Sequence, residues 1–235
     1  MDNSICQQCS HGLCASKVPI FSGLTDEELK NIIHLTRHHD YKKGEILVSE
    51  GEESGTLYIL NEGMVKLCKV NKDGKQQILR LLRDGEFFGE LNIFGGIHTA
   101  NFTARAIRDT KICSVSKEKM NRIMNKYPGI SLKILGSLSL RLASTENLAQ
   151  NLSAGNAASQ TAFVLLELAE TYGVSGPEGI TIKLPLSREE LAAYAGLTRE
   201  TLSRKLSALE KDGIIRSLEN KSILLIDPDL LEENL

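Results

Sequence analysis

Apolar positions recur along the chain with two alternating periods, and the changes of period divide it. In "VPIFSGLTDEELKNIIHLTRHHDYKKG", Leu29, Ile32 and Ile33 are spaced for one face of a helix. Thr25 precedes that helix and Glu28 follows three residues later, the signature of a capping box. From Glu45 to about Val115 the period falls to two. Short β-rich runs there are broken at Gly51, Gly55, Gly63, Gly74 and Gly85, with Asp-Gly pairs at Asp73-Gly74 and Asp84-Gly85. Closely spaced strands with glycine turns predict an antiparallel barrel or sandwich. The helical period returns at about Lys117, with a short helix around Met120 and Ile123 that ends near Pro128. Next, Leu135, Leu138, Leu142, Thr145, Ala149 and Leu152 follow one another at spacings of three and four. That is a heptad seam, which predicts either a helix-pairing interface or one helix packed on its own domain.

"SAGNAASQ" then loosens the chain, and a second domain follows. It reads as a helix from Phe163 to Tyr172, a loop "YGVSGPEG", two more helices and a terminal hairpin. The predicted boundaries are 1–17 for a cysteine-rich segment, 18–116 for the β-rich domain, 117–153 for the two connecting helices and 154–235 for the last domain. The fold class is α+β.

In "PLSREELAAYAGLTRETLSRKLSALEKDGII", Ser187 and Glu190 form a second capping box, Gly196-Leu197 a turn and Thr198 a second cap. Helix, short glycine turn and helix make the helix-turn-helix unit. At about 100° per residue, Leu202, Leu206 and Leu209 share one side of the second helix. Arg199, Glu200, Ser203, Arg204 and Ser207 share the other. Arg reads the guanine edge and Glu accepts from cytosine N4, so this face suits the major groove. A solvated face with an Arg–Glu pair is the plainer alternative. "GIIRSLENKSILLI" predicts a wing whose Arg216 and Lys221 reach phosphate.

Composition narrows the class without naming a ligand. The chain has 235 residues and a formal charge of -2, so any positive surface for nucleic acid must be local. No apolar run approaches the ~18 residues of a membrane helix, and no signal peptide is visible, so a cytoplasmic protein is expected. No nucleophile–base pair or phosphate loop points to an enzyme. A purely effector-binding module or regulatory subunit would have no use for Arg199, Glu200 and Arg204 on one face.

The five cysteines are unevenly placed. "ICQQCSHGLC" holds Cys6, Cys9 and Cys14, while Cys68 lies alone in "VKLCKV" and reads as a buried strand residue. In a reducing compartment such a cluster binds metal or senses redox state more often than it staples a fold. His11 stands among the cysteines as a replacement ligand or a solvated side chain. "RHHD", Arg37 to Asp40, lacks a third ligand at a sensible spacing and reads as a polar surface turn.

The whole pattern resembles the CRP/FNR superfamily of transcription regulators, in the FNR-like branch. The resemblance rests on "KKGEILVSEGEESGTLYILNEGMVKL", "FFGELNIFGG" and "LTRETLSRKLSALEKDGII". It implies a jelly-roll-like β-roll, a dimerisation helix and a C-terminal winged helix-turn-helix. It also implies a homodimer on double-stranded DNA, reading an inverted repeat with TGA-containing half-sites, and contact with RNA polymerase. The Glu–x–x–Ser–Arg pattern of the FNR branch falls on Glu200, Ser203 and Arg204, and Arg199 matches an arginine of the cyclic-AMP-receptor branch. "YGVSGPEG" resembles the position of a polymerase-contacting loop, though a plain surface loop is the simpler reading.

"FGELNIF" keeps Gly89, Glu90 and Leu91 of the cyclic-nucleotide cassette, but the phosphate-holding arginine of that cassette falls on Ala100. An anion buried there would lack a partner, so no cyclic nucleotide is expected. The FNR branch also clusters three cysteines at the N-terminus with a fourth in the roll, which implies Cys113 as the fourth. Four thiolates suit a [4Fe–4S] cluster. Here four residues lie between Cys9 and Cys14, one fewer than in that branch. A dithiol–disulfide switch (Cys6 or Cys9 with Cys113), a structural zinc on four cysteines, inert thiols, and a small effector in the roll stay open beside the cluster.

Overall fold

The computed structural model describes residues 14–72, 74–153 and 156–233. The expected residues Cys6, Cys9, His11 and Asp73 therefore lie outside the described residues, as do the side chains of Cys14 and Leu152. The chain forms two compact units, one of residues up to Lys69 with Leu79–Arg141, the other of Val70–Ile78 with Leu142 onward.

The first unit is the antiparallel β-roll expected from the period-two region. One sheet has the order β1-β8-β3-β6, made by Arg37–Tyr41, Thr110–Ser116, Thr56–Glu62 and Phe87–Phe88. The other has the order β2-β7-β4-β5, made by Ile46–Val48, Thr103–Ala106, Val65–Val70 and Gln76–Leu82. Between the sheets pack Leu60, Val65, Leu67, Leu82, Phe88, Phe102, Ala104 and Ile112. Strand alternation sends the neighbours of these residues to the opposite face. Leu57, Ile59, Cys113 and Val115 thus join a second apolar layer on the outside of the first sheet.

Helices and turns complete that outer layer. Two short 3-10 turns, Cys14–Lys17 and Pro19–Phe21, bury Ala15, Val18, Ile20 and Phe21 in it. Helix α1 (Asp26–Ile33) adds Leu29 and Ile32, and its capping box is formed by Thr25 and Glu28 as the sequence predicts. Helix α2 (Glu90–Ile93) adds Ile93, and α3 (Lys117–Lys126) adds Met120 and Ile123. The long helix α4 (Gly129–Ser153) adds Ile130 and Ile134. Burying Val18, Ile20 and Phe21 alone contributes about 1.5–3 kcal/mol each, so residues 15–21 are firmly seated. Gly85 makes room for them: its φ is +86°, and a Cβ there would lie 2.8 Å from the Lys17 carbonyl oxygen.

Helix α4 divides the expected seam. Leu138 packs against the roll's own outer layer, whereas Leu132, Leu135, Leu140 and Leu142 are 60–76% exposed. The outward stripe is therefore Leu132, Leu135 and Leu142 rather than the series through Leu138.

In the second unit, α5 (Ala157–Tyr172) packs against α6 (Arg188–Ala195), α7 (Arg199–Lys211) and strand β10. The sheet order is β11-β12-β10-β9, from Ile215–Leu218, Ser222–Leu225, Gly179–Lys183 and Gly173–Gly176. "YGVSGPEG" is thus not a plain loop. Most of it is strand β9 and the turn into β10, with Val174 opposite Thr181. A final helix, α8 (Pro228–Glu232), follows the wing and buries Leu231.

Candidate DNA interface and thiol site

The α6–α7 unit is built by local chemistry. Ser187 and Glu190 form the expected capping box at the start of α6. Gly196 ends α6 at φ +69°, a left-handed turn that a side chain would resist. Thr198 then caps α7, its hydroxyl accepting from the Thr201 amide at 3.2 Å. Leu202, Leu206 and Leu209 are buried beneath α7, while Arg199, Glu200, Ser203, Arg204 and Ser207 are all exposed. The angular reading of this helix and the structure agree residue by residue. Arg204 reaches back to the Thr201 hydroxyl at 3.4 Å, a weak contact that leaves the guanidinium available.

The wing is braced against α7. The Ser217 amide donates to Glu210 at 2.7 Å, and Arg188 donates to the Ser217 hydroxyl at 3.3 Å. Asn220 and Lys221 have φ of 57° and 58°, the tight mirror-image turn of a two-residue hairpin. Arg216 lies 3.2 Å from Glu178 in an exposed ion pair, which is weak enough to exchange for a phosphate. Inside the unit, Tyr194 donates its hydroxyl to Glu167 at 2.5 Å. Burial, more than the neighbouring Glu170, raises the pKa of the Glu167 carboxyl, and the Tyr194 bond opposes that rise.

The second site is in the roll. Cys113, on β8, is buried in the outer layer, and its sulfur accepts a hydrogen bond from Asn61 Nδ2 at 2.9 Å. Across the β1–β8 ladder its register partner is His38, whose Nδ1 and Nε2 lie 3.4 Å and 3.7 Å from the sulfur. "RHHD" is therefore not a surface turn; it opens strand β1 and places His38 on Cys113. Adjacent His39 points to the other face and meets the Ser114 hydroxyl at 2.9 Å. Burial lowers the pKa of His38, keeping it a neutral imidazole at neutral pH. Cys68 is buried as expected, and burial raises the pKa of its thiol.

The 3-10 turn that starts at Cys14 packs on β3, whose Ile59 is the register partner of Cys113. The segment leading to Cys6 and Cys9 thus begins on the sheet face that carries Cys113. A soft sulfur there with an amide donor at its back is a fitting half-site for thiophilic metal chemistry. Among the described residues no three metal-ligating side chains meet.

A third group was not expected from the sequence. Glu90 lies 3.5 Å from both Arg80 of β5 and Arg141 of α4, all three largely buried. Arg141 also lies over the Phe87 ring, 3.9 Å from its centre. Burial first, then Arg80, lowers the Arg141 pKa to about 10, against the pull of Glu90. Ala100, where the cassette arginine would stand, is 3% exposed and brings no charge. No pattern of spacing links residues 80, 90 and 141; only the fold brings them together.

Two family models match the chain. A cyclic nucleotide-binding domain covers residues 38–127, and a Crp-like helix-turn-helix domain covers 159–234. The nitrogen fixation regulation protein FixK of Bradyrhizobium diazoefficiens is 31% identical over 91% of this chain and 88% of its own length. A CRP-like cAMP-activated global transcriptional regulator of Mycobacterium tuberculosis is 29% identical over 92% of this chain and 96% of its own. Among solved structures, FixK2 from Bradyrhizobium japonicum superimposes with a TM-score of 0.73 at 27% identity, covering 84% of this chain and 96% of that one.

Proposed function

The chain belongs to the CRP/FNR family of DNA-binding transcription regulators, and from that premise we propose that it is a homodimer whose DNA binding answers to oxygen or redox state. The sensor is a [4Fe–4S] cluster held by Cys6, Cys9, Cys14 and Cys113. When bound, such a cluster supplies iron chemistry that responds to oxygen.

One observation carries the reading. Cys113 shares a single apolar layer with the anchor of the cysteine segment (Ala15, Val18, Ile20, Phe21) and with the foot of α4 (Ile130, Ile134). A change at the thiols therefore acts on side chains that pack directly on the long helix. Lys133 of α4 also donates to the carbonyl and hydroxyl oxygens of Ser22, just past the anchor. The exposed leucines of α4 are the surface on which a second copy pairs, since single-chain packing leaves them in water. Pairing sets two α7 helices for the half-sites of an inverted repeat, with Arg199, Glu200, Ser203 and Arg204 reading bases. RNA polymerase is the expected further partner.

A cyclic nucleotide is a poor fit to the roll. Ala100 offers no cation, and Glu90 already faces the chain's own Arg80 and Arg141.

Anaerobic purification with iron and sulfide assays, and absorption spectra before and after air, tests this function. Iron and sulfide in equal amounts, bleached by air together with DNA binding, is the expected result. An iron-free protein that binds DNA only when oxidised would replace the cluster with a disulfide switch. Zinc in stoichiometric amount would make the site structural.

A further inference from the structure

We propose that His38 is a metal ligand of this chain, paired with Cys113 across the β1–β8 ladder. The inference rests on the reading that Cys113 and the N-terminal thiols hold metal, and it changes the ligand set.

The argument is geometric. Register partners on antiparallel strands hold their Cβ atoms about 4.5–5.5 Å apart, which suits two ligands of one ion. In a tetrahedral site with a metal–sulfur bond of ~2.3 Å and a metal–nitrogen bond of ~2.0–2.1 Å, sulfur and nitrogen stand about 3.6 Å apart. The His38 ring nitrogens lie 3.4 Å and 3.7 Å from the Cys113 sulfur. Asn61 donates to that sulfur at 2.9 Å, the outer-sphere support that metal-bound sulfur ordinarily has. His39 cannot substitute, because strand alternation turns it to the opposite face and onto Ser114. Two ligands are thus in place on the sheet, and two of the three N-terminal cysteines complete a Cys₃His site for a thiophilic divalent cation. Metal binding releases the thiol protons to solvent and changes no oxidation state.

The test uses cobalt(II) as the probe, titrated into the full-length apo chain without oxygen and followed by its visible ligand-field bands. The wild-type chain is expected to bind cobalt with the spectrum of three sulfurs and one nitrogen. His38→Ala should weaken binding at least 10-fold and alter the bands. His38→Cys should restore tight binding with an all-sulfur spectrum, a rescue that a merely structural role would not produce. Unchanged affinity and bands in His38→Ala, with binding lost in Cys113→Ser, would remove His38 from the site and leave Cys113 in it. A wild-type chain that takes up no cobalt would overturn both.

Discussion

The Arg141 guanidinium of α4 stacks on the Phe87 ring of β6 while facing the Glu90 carboxylate. One side chain thus fastens the long helix to the roll by cation–π and ion-pair contacts together. Arg141→Ala should destabilise the first unit by about 2 kcal/mol, measured by urea unfolding. That is below the 3–5 kcal/mol of an orphaned buried charge, because Arg80 remains beside Glu90. Adding Glu90→Gln to Arg141→Ala should cost less than the sum of the two single changes.

Arg204→Ala should reduce affinity for a TGA-containing inverted repeat by 10-fold or more per half-site, as loss of a base contact costs ~1–3 kcal/mol. Binding to scrambled DNA should fall little. Fluorescence anisotropy on both duplexes distinguishes a base contact from a general phosphate contact.

Replacing Leu135 and Leu142 together by Glu should yield a monomer in sedimentation velocity, where the wild-type chain sediments as a dimer. Both side chains are about 60% exposed in the single chain. The intrachain fold therefore loses little, and far-UV circular dichroism should be unchanged.

Glu167 makes the second unit sensitive to pH. Its folded pKa is raised by burial, so its contribution to stability is fully present below the ordinary carboxylate range. That contribution is lost as pH rises through the folded value. Glu167→Gln should therefore unfold at a higher temperature than wild type at pH 8, with the gap closing toward pH 4. A constant gap across that range would assign the effect to packing instead.

Gly85→Ala forces a Cβ toward the Lys17 carbonyl in a backbone conformation with positive φ. About 1–2 kcal/mol of destabilisation is expected from the backbone conformation alone. Limited proteolysis should then cut near residues 15–21 faster than in wild type.

The helix-turn-helix was legible because its information is local: caps, a glycine turn and the helical period lie within one 30-odd-residue stretch. Leu202, Leu206 and Leu209 fall where the period puts them. His38 was not legible, because its partner lies 75 residues away and only strand pairing joins them. The same holds for Gly173–Gly176, whose glycine and serine read as loop until β10 supplies the hydrogen bonds. Leu138 shows a different limit. A helix with two apolar faces satisfies one heptad count with residues that serve two different surfaces.

The seating of residues 15–21 has a kinetic consequence. Cys6 can stray at most about 30 Å from Ala15, the length of the extended chain between them. Encounters between the leader thiols and Cys113 are therefore unimolecular, at an effective concentration set by a short tether. Dilution leaves that chemistry untouched, yet it pulls apart two chains joined along α4. Lowering the protein concentration should separate signal capture from assembly on DNA, with the first keeping its rate while the second fades.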